Sequence, residues 1–437
     1  MPWFNEDVPA NRNEFPKYRS AVVPRNPHRL PKPMNQNNVY LEPKPRYEIL
    51  DGLRGVAAMM VVAFHLFETY SAGPAHQILN HGYLAVDFFF VLSGFVIGYA
   101  YDDRWDKMSA WNFCKRRLIR LHPMVVFGSF LGLLLYYFGD CPTFAIIGQT
   151  EWYKPLILFL IGCTMIPVGA SMDIRGWSET YPLNGPAWSL MLEYVGNILY
   201  ALFIRRLPKI ALAILVVLFA GMTIMLCLNV DPLGVLAPHH YAAFTVIGGW
   251  GIDACQLWVG FTRLLFPFFC GLLLARCRKF IRVKGAFWLC SLIMIAVLAM
   301  PRLGADPVAF TDSGVVFNAA EGMKNGIYEA ICILIVFPLV VMMGAGSSIR
   351  GKKSFAFCKW LGDISFPLYI THFPLVYMQI AWKAAHEDAP LGTHISAGLG
   401  IWICAIMLAY ASLKLYDEPV REWLKDKLFV RAPKKPE

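Results

Sequence analysis

Ten long apolar stretches divide this chain, at about 50–70, 82–101, 122–138, 188–204, 210–228, 255–275, 285–300, 326–343, 361–382 and 394–415. A bilayer core of ~30 Å takes roughly 20 apolar residues of helix. Backbone that crosses it must satisfy its own polar groups, which a helix does within one segment. The pattern predicts an all-α fold, a polytopic membrane helix bundle of about ten transmembrane helices. With 57% hydrophobic and 16% charged residues, the chain holds too little charge for a soluble domain of 437 residues. Its 13 Trp, 19 Tyr and 31 Phe suit anchors at the two membrane interfaces.

The net charge of +10 is compatible with nucleic-acid binding, but the placement of the charges argues for membrane topology instead. Alternate loops on one side and the two tails hold 32 of the 40 Lys and Arg, and the opposite loops hold five. This asymmetry predicts that both termini are cytoplasmic, with ten spans as the consistent count. The apolar piece at 154–168 would break the alternation if it crossed, so it is expected to be re-entrant or to lie on the outer surface. Residues 1–48, with nine Pro and seven Asn, cannot bury a core and are expected to form a flexible cytoplasmic tail. A membrane domain then spans 49–421, and 422–437 forms a basic cytoplasmic tail. The eleven Cys show no metal-ligand spacing, and neither a metal site nor a disulfide framework is expected.

Ionisable residues inside the apolar stretches carry the functional reading, because each costs roughly 2.5–3.5 kcal/mol at a membrane-helix centre. Arg54 and His65, eleven residues apart in the first span, lie on one helix face about 16 Å apart along the axis. Asp87 in the second span is a candidate to orient and polarise His65. Its neighbours Ser93 and Gly94 read as a close-packing point between helices. Lys115, Arg116, Arg117 and Arg120 form a basic amphipathic helix expected to end before Pro123. Such a helix either rests on anionic lipid or clamps phosphate. Glu193 in the fourth span and Arg263 in the sixth either pair with each other or line a polar cavity. His372 in the ninth span, after Pro367, is a second mid-membrane histidine. Several such groups on different helices predict a site.

Six blocks in order, "LDGLRGVAAMMVVAFH", "VDFFFVLSGFVIG", "RRLIRLHP", "WSLMLE", "LGDISFPLYITH" and "YDEPVRE", give the chain a family likeness. From about Tyr47 to Arg421 it resembles the acyltransferase-3 family of integral membrane acyltransferases. The resemblance implies transfer of an acyl group, usually acetyl from cytosolic acetyl-CoA, to a hydroxyl of an extracytoplasmic or lipid-linked glycan. Acetyl-CoA is then a co-substrate, and no permanently bound cofactor is implied. Arg54 and His65 match the hallmark pair, and Arg116, Arg117 and Arg120 match the donor-linked basic loop. Asp87, Glu193 and His372 match polar positions of other blocks. Some relatives carry a fused extracytoplasmic domain, so this chain is expected either to acylate the acceptor itself or to pass the group to a separate extracytoplasmic transferase. A bacterial inner membrane is the expected location.

On this reading, His65 acts as a general base or as an acylated nucleophile at the end of a path that starts at Arg54. The competing class is a transporter or flippase for a lipid-linked sugar, which buried charges also serve. The chain lacks the inverted repeat and paired broken helices of secondary transporters.

Overall fold

The computed structural model describes residues 44–429 apart from 74–75 and 312–313, and the expected tail at 1–43 lies outside the described residues, as do 430–437. The helices are α1 (Glu48–Glu68), α2 (Ala85–Tyr101), α3 (Ala110–Tyr136), α4 (Lys154–Gly162), α5 (Ala187–Leu202), α6 (Lys209–Cys227), α7 (Ala254–Cys277), α8 (Ala286–Ala299), α9 (Ala319–Ile331), α10 (Phe337–Gly346), α11 (Lys352–Ala385), α12 (Leu391–Ser412) and α13 (Glu418–Leu428). Between α8 and α9 a small antiparallel hairpin pairs Val308–Thr311 with Gly314–Phe317.

Every predicted apolar stretch is helical. Among the described residues, seven helices are long and apolar enough to cross a membrane by length and composition. The other three predicted spans are α5 with 16 residues, α8 with 14 and α11 with 34. The piece predicted not to cross is α4, whose nine residues rise only about 14 Å.

Prolines leave visible marks. α9 and α10 are joined by a π-turn over Cys332–Val336, and α12 and α13 by another over Leu413–Asp417. Pro338 and Pro419 stand two residues past these turns. A proline lacks the N–H of the regular ladder and crowds the carbonyl four residues back, and a local π-turn relieves that clash without ending the helix. Pro123 did not stop its helix either: α3 runs through it unbroken, so the basic stretch is the first part of the third span rather than a separate surface helix. Pro123 is buried in the bundle, and packing outweighs the one lost hydrogen bond.

α1, α2, α7 and α11 form the interior. α2 and α7 touch backbone to backbone: a Cβ on Gly94 would lie 2.0 Å from the Phe268 carbonyl oxygen, and one on Gly271 would lie 2.1 Å from that of Val91. α6 and α12 turn Ile210, Val217 and Leu218, and Leu399, Ile403 and Met407, outward. Such apolar outer faces belong against hydrocarbon. The N-termini of α1 and α6 and the C-termini of α2 and α7 meet at one end of the bundle, called here the basic end, where Lys44, Lys209, Arg276 and Arg278 gather around a cleft of about 700 Å³. None of the candidate site residues lines that cleft.

Candidate active site

α1 and α11 run in the same direction, side by side. Near the basic end, a Cβ on Gly55 would lie 2.4 Å from the Leu361 carbonyl oxygen, so only glycine admits this approach. Arg54 bridges the same two helices. Its Nε donates to Ser365 Oγ at 2.7 Å, its Nη2 to the Gly362 carbonyl at 2.9 Å, and it pairs with Asp51 at 3.3 Å. Arg120 of α3 lies within electrostatic reach of Arg54, Arg117 and Asp51, and of Asp417 in the second π-turn. It is nevertheless exposed. Charged groups of α1, α3 and the second π-turn thus surround this cation near the basic stretch of α3.

Arg117 plays a different part. Its Nη2 donates to Glu193 Oε1 at 2.6 Å, and Ser93 Oγ donates to the same oxygen at 2.9 Å. Of the two alternatives for Glu193 and Arg263, the direct pair does not form, because each has another partner, and Ser93 belongs to the polar interior rather than to helix packing alone. One turn from Glu193 on α5, Ser189 Oγ meets Tyr369 OH at 2.7 Å. The Tyr369 carbonyl accepts from His372 Nδ1 at 2.8 Å. With its hydrogen on Nδ1, His372 keeps a bare Nε2, which is buried and has no hydrogen-bond partner among the described residues. The His372 ring stacks on His65, with centroids 5.4 Å apart and planes at 29°. Arg117, Glu193, Ser189, Tyr369, His372 and His65 thus form a stepwise polar line through the bundle.

His65 ends that line. Its Nδ1 lies 2.6 Å from Glu68 Oε2, and Phe373 packs edge-on at 4.8 Å. With Glu68 ionised the imidazole holds its hydrogen on Nδ1, which leaves the Nε2 lone pair for chemistry. The Glu68 side chain is 49% exposed, so this end of the line is open, opposite the basic end.

Asp87 does not orient His65. It is fully buried and bound to Arg263 through Nη2–Oδ2 at 2.7 Å and Nε–Oδ1 at 3.3 Å. Arg263 also donates to the Tyr83 and Gly248 carbonyls, at 2.7 and 3.2 Å, and stands 5.3 Å from the Trp188 ring centroid. The reason is packing: the α2–α7 glycine contact brings Arg263 to Asp87, and a carboxylate removed from water takes the cation within reach.

Beside the His65 site stand two carboxylates, Glu68 and Glu179, that the sequence reading does not include. Glu68 carried a usable signal, since residues three apart on a helix share a face. Glu179 carried none, because it sits in the aperiodic loop between α4 and α5. It is 7% exposed, accepts from Tyr377 OH at 2.7 Å, and abuts Gly185, where a Cβ would lie 2.4 Å from its Oε1. Burial pushes its carboxyl up to about 7. Tyr377 packs on Phe373 at 4.7 Å, which ties this loop to the wall of the His65 site.

The profile of an acyltransferase domain, that of the acyltransferase-3 family, matches residues 47–410. The chain belongs to the acyltransferase-3 family. Over 168 residues, 36% of the chain, it is 33% identical to Protein 2 in picA locus of Rhizobium radiobacter and covers 83% of that protein. It is 25% identical over 346 residues to the acyltransferase MdmB of Streptomyces mycarofaciens, which is 76% of this chain and 79% of MdmB. Against the peptidoglycan O-acetyltransferase OatA of Listeria monocytogenes it is 22% identical over 354 residues, 75% of this chain but 49% of that protein. No solved structure matches. This acyltransferase-3 protein is an O-acyltransferase built as a multi-pass membrane bundle.

Proposed function

We propose that this O-acyltransferase moves an acetyl group from cytosolic acetyl-CoA to a hydroxyl of an extracytoplasmic or lipid-linked glycan. The observation that carries the reading is the stepwise polar line from Arg117 and Glu193 to the His65–Glu68 pair at the open opposite end, with the Arg54 bridge and the exposed Arg120 near its start. The basic end faces the cytoplasm of a bacterial cell, by the charge asymmetry of the loops, and both termini lie there. A glycan acceptor is supported by the peptidoglycan substrate named for the Listeria relative.

The donor's phosphates sit on Arg120 and Arg54, where guanidinium forks suit phosphate, and Arg116, which stands 4.8 Å from the Phe429 ring centroid, adds a further cation of the same helix. Arg117 serves the site by neutralising Glu193, since its Nη2 is already bound to that carboxylate. The thioester arm extends along α1 to His65, a rise of about 16 Å. His65 Nε2 takes the proton of the acceptor hydroxyl, and the oxygen attacks the thioester carbonyl. The C–S bond breaks, and the imidazolium returns the proton to the departing thiolate. Glu68 holds the ring and stabilises the imidazolium through Nδ1.

The test is ester-linked acetyl on surface glycans, by mass spectrometry before and after mild alkali, in cells with the intact gene, a deletion, and equal levels of His65→Ala or Glu68→Gln. Loss of base-labile acetyl in the deletion is expected, with no rescue by His65→Ala. The purified His65→Ala enzyme should lose roughly 10²–10⁴-fold in turnover, and Glu68→Gln should fall between it and the intact enzyme. Reduced glycan with unchanged acetyl per sugar would refute transfer and indicate transport. An acetyl group found covalently on His65 would replace the base role with a nucleophilic one.

A further inference from the structure

Beyond Glu68 the ends of three helices carry an aromatic cluster that acyl transfer does not use. Tyr70 follows α1, Trp382 and Lys383 lie in the last turn of α11, His386 caps that helix, and His394 lies in the first turn of α12. His386 stacks flat on Trp382, with centroids 4.6 Å apart and planes at 15°, and its Nδ1 donates to the Trp382 carbonyl at 2.8 Å. His394 stands edge-on to Trp382 at 5.4 Å, and its Nδ1 meets Tyr70 OH at 3.2 Å. Lys383 Nζ lies 5.6 Å from the Tyr70 ring centroid and donates to the Thr69 carbonyl at 3.2 Å. Tyr70 and His386 are exposed, and Trp382 and His394 are half-buried.

We propose that this cluster is a saccharide-binding subsite, which holds the acceptor chain while a hydroxyl elsewhere on that chain reaches His65. The inference rests on the glycan-acceptor reading above. A sugar ring presents an apolar C–H face rimmed by hydroxyls. Here flat rings supply the apolar surface, and an imidazole, a phenol and an ammonium at their margins supply donors and acceptors. An acyl chain laid on the same surface would desolvate those polar margins without pairing them. The hydrogen bond from Lys383 to Thr69 and the one between Tyr70 and His394 tie the three helix ends together, so the rings are pre-arranged and little side-chain freedom is lost on binding. The cluster is continuous with the active site, because α1 carries His65 and Glu68 just before Tyr70, and α11 carries His372 before Trp382. Trp382 lies ten residues past His372, about 15 Å along the helix. That is further than one sugar ring reaches, so a unit held at Trp382 is a different member of the chain from the acylated one, and Tyr70, nearer to His65, holds the chain between them.

Acceptor length is therefore the readout. The full-chain enzyme in nanodiscs is given acetyl-labelled acetyl-CoA and fragments of the host's own envelope glycans, sized from disaccharide to hexasaccharide. For the intact enzyme KM should fall about tenfold or more with length. Trp382→Ala and Tyr70→Ala should each remove most of that gain, leaving kcat and the disaccharide KM unchanged, and Trp382→Phe should keep it. An intact enzyme indifferent to length overturns the subsite while leaving glycan transfer standing. Variants that raise KM equally for short and long fragments overturn it too, as do variants that only lower the melting temperature, which is what a membrane-interface anchor would give. If no fragment of any length is acetylated by the intact enzyme, the glycan reading fails and the subsite with it.

Discussion

At the residue scale, the interior of this enzyme holds two kinds of buried charge. Glu193 shares one oxygen between Arg117 and Ser93 in a line that continues to the histidines. Asp87 and Arg263 instead close on each other and on backbone carbonyls. Closed pairs of this kind are costly to break from one side, by roughly 3–5 kcal/mol, and cheap to replace whole. Asp87→Ala should therefore lower thermal stability by an amount of that order, measured as melting in a fixed detergent, whereas Asp87→Leu combined with Arg263→Met should recover most of it. A double variant no more stable than Asp87→Ala would mean that the pair does more than fill the interior. The sequence showed both carboxylates at plausible depths but could not choose their partners, because the Asp87 and Arg263 positions are 176 residues apart in the chain.

At the scale of elements, two helix contacts set the site. The α1–α11 contact brings Arg54 to Ser365 and His65 to His372, and the α2–α7 contact presents Ser93 to Glu193 while occupying Asp87. Both depend on glycines that let backbones meet. Gly94→Ala would push a methyl group to 2.0 Å from the Phe268 carbonyl oxygen, and overpacking of this sort costs about 1–3 kcal/mol. Gly221 of α6 has no atom within 4 Å of a built Cβ. Gly221→Ala should be neutral or stabilising by about 0.5–1 kcal/mol, the usual gain in a helix interior. Equal melting temperatures for these two variants would contradict the proposed tightness of the α2–α7 crossing.

At the scale of the whole molecule, the loop before α5 folds back against α11 and closes one wall of the site through Glu179. Tyr377 of α11 donates to it, and Arg175 and Asp173 of its own loop and Glu68 of α1 act on it electrostatically. Burial raises its carboxyl from the usual 4.5 to about 7. A folded-state value above the unfolded one means that this group's contribution is complete below about pH 4.5 and is lost as pH rises through 7. The loss amounts to about 3 kcal/mol by pH 8. Melting should therefore fall between pH 5.5 and pH 8, and Glu179→Gln, which stays neutral, should flatten that slope. A slope unchanged by Glu179→Gln would assign the pH dependence to other groups.

What the sequence determined by itself was the membrane bundle, its apolar segments, several of the ionisable residues buried in them, and the Arg54–His65 spacing. All of these follow from local rules: the length of helix that spans hydrocarbon, the 3.6-residue repeat, and the cost of charge in an apolar run. Even Glu68 obeys such a rule, one turn from His65. Tertiary structure alone decided which carboxylate answers which arginine, that Ser93 joins the polar line, that α3 continues through Pro123, and that Glu179 reaches the site from a loop. Those outcomes turn on which helices meet, and the meeting points are set by close backbone contacts between residues far apart in the chain. No local periodicity records them.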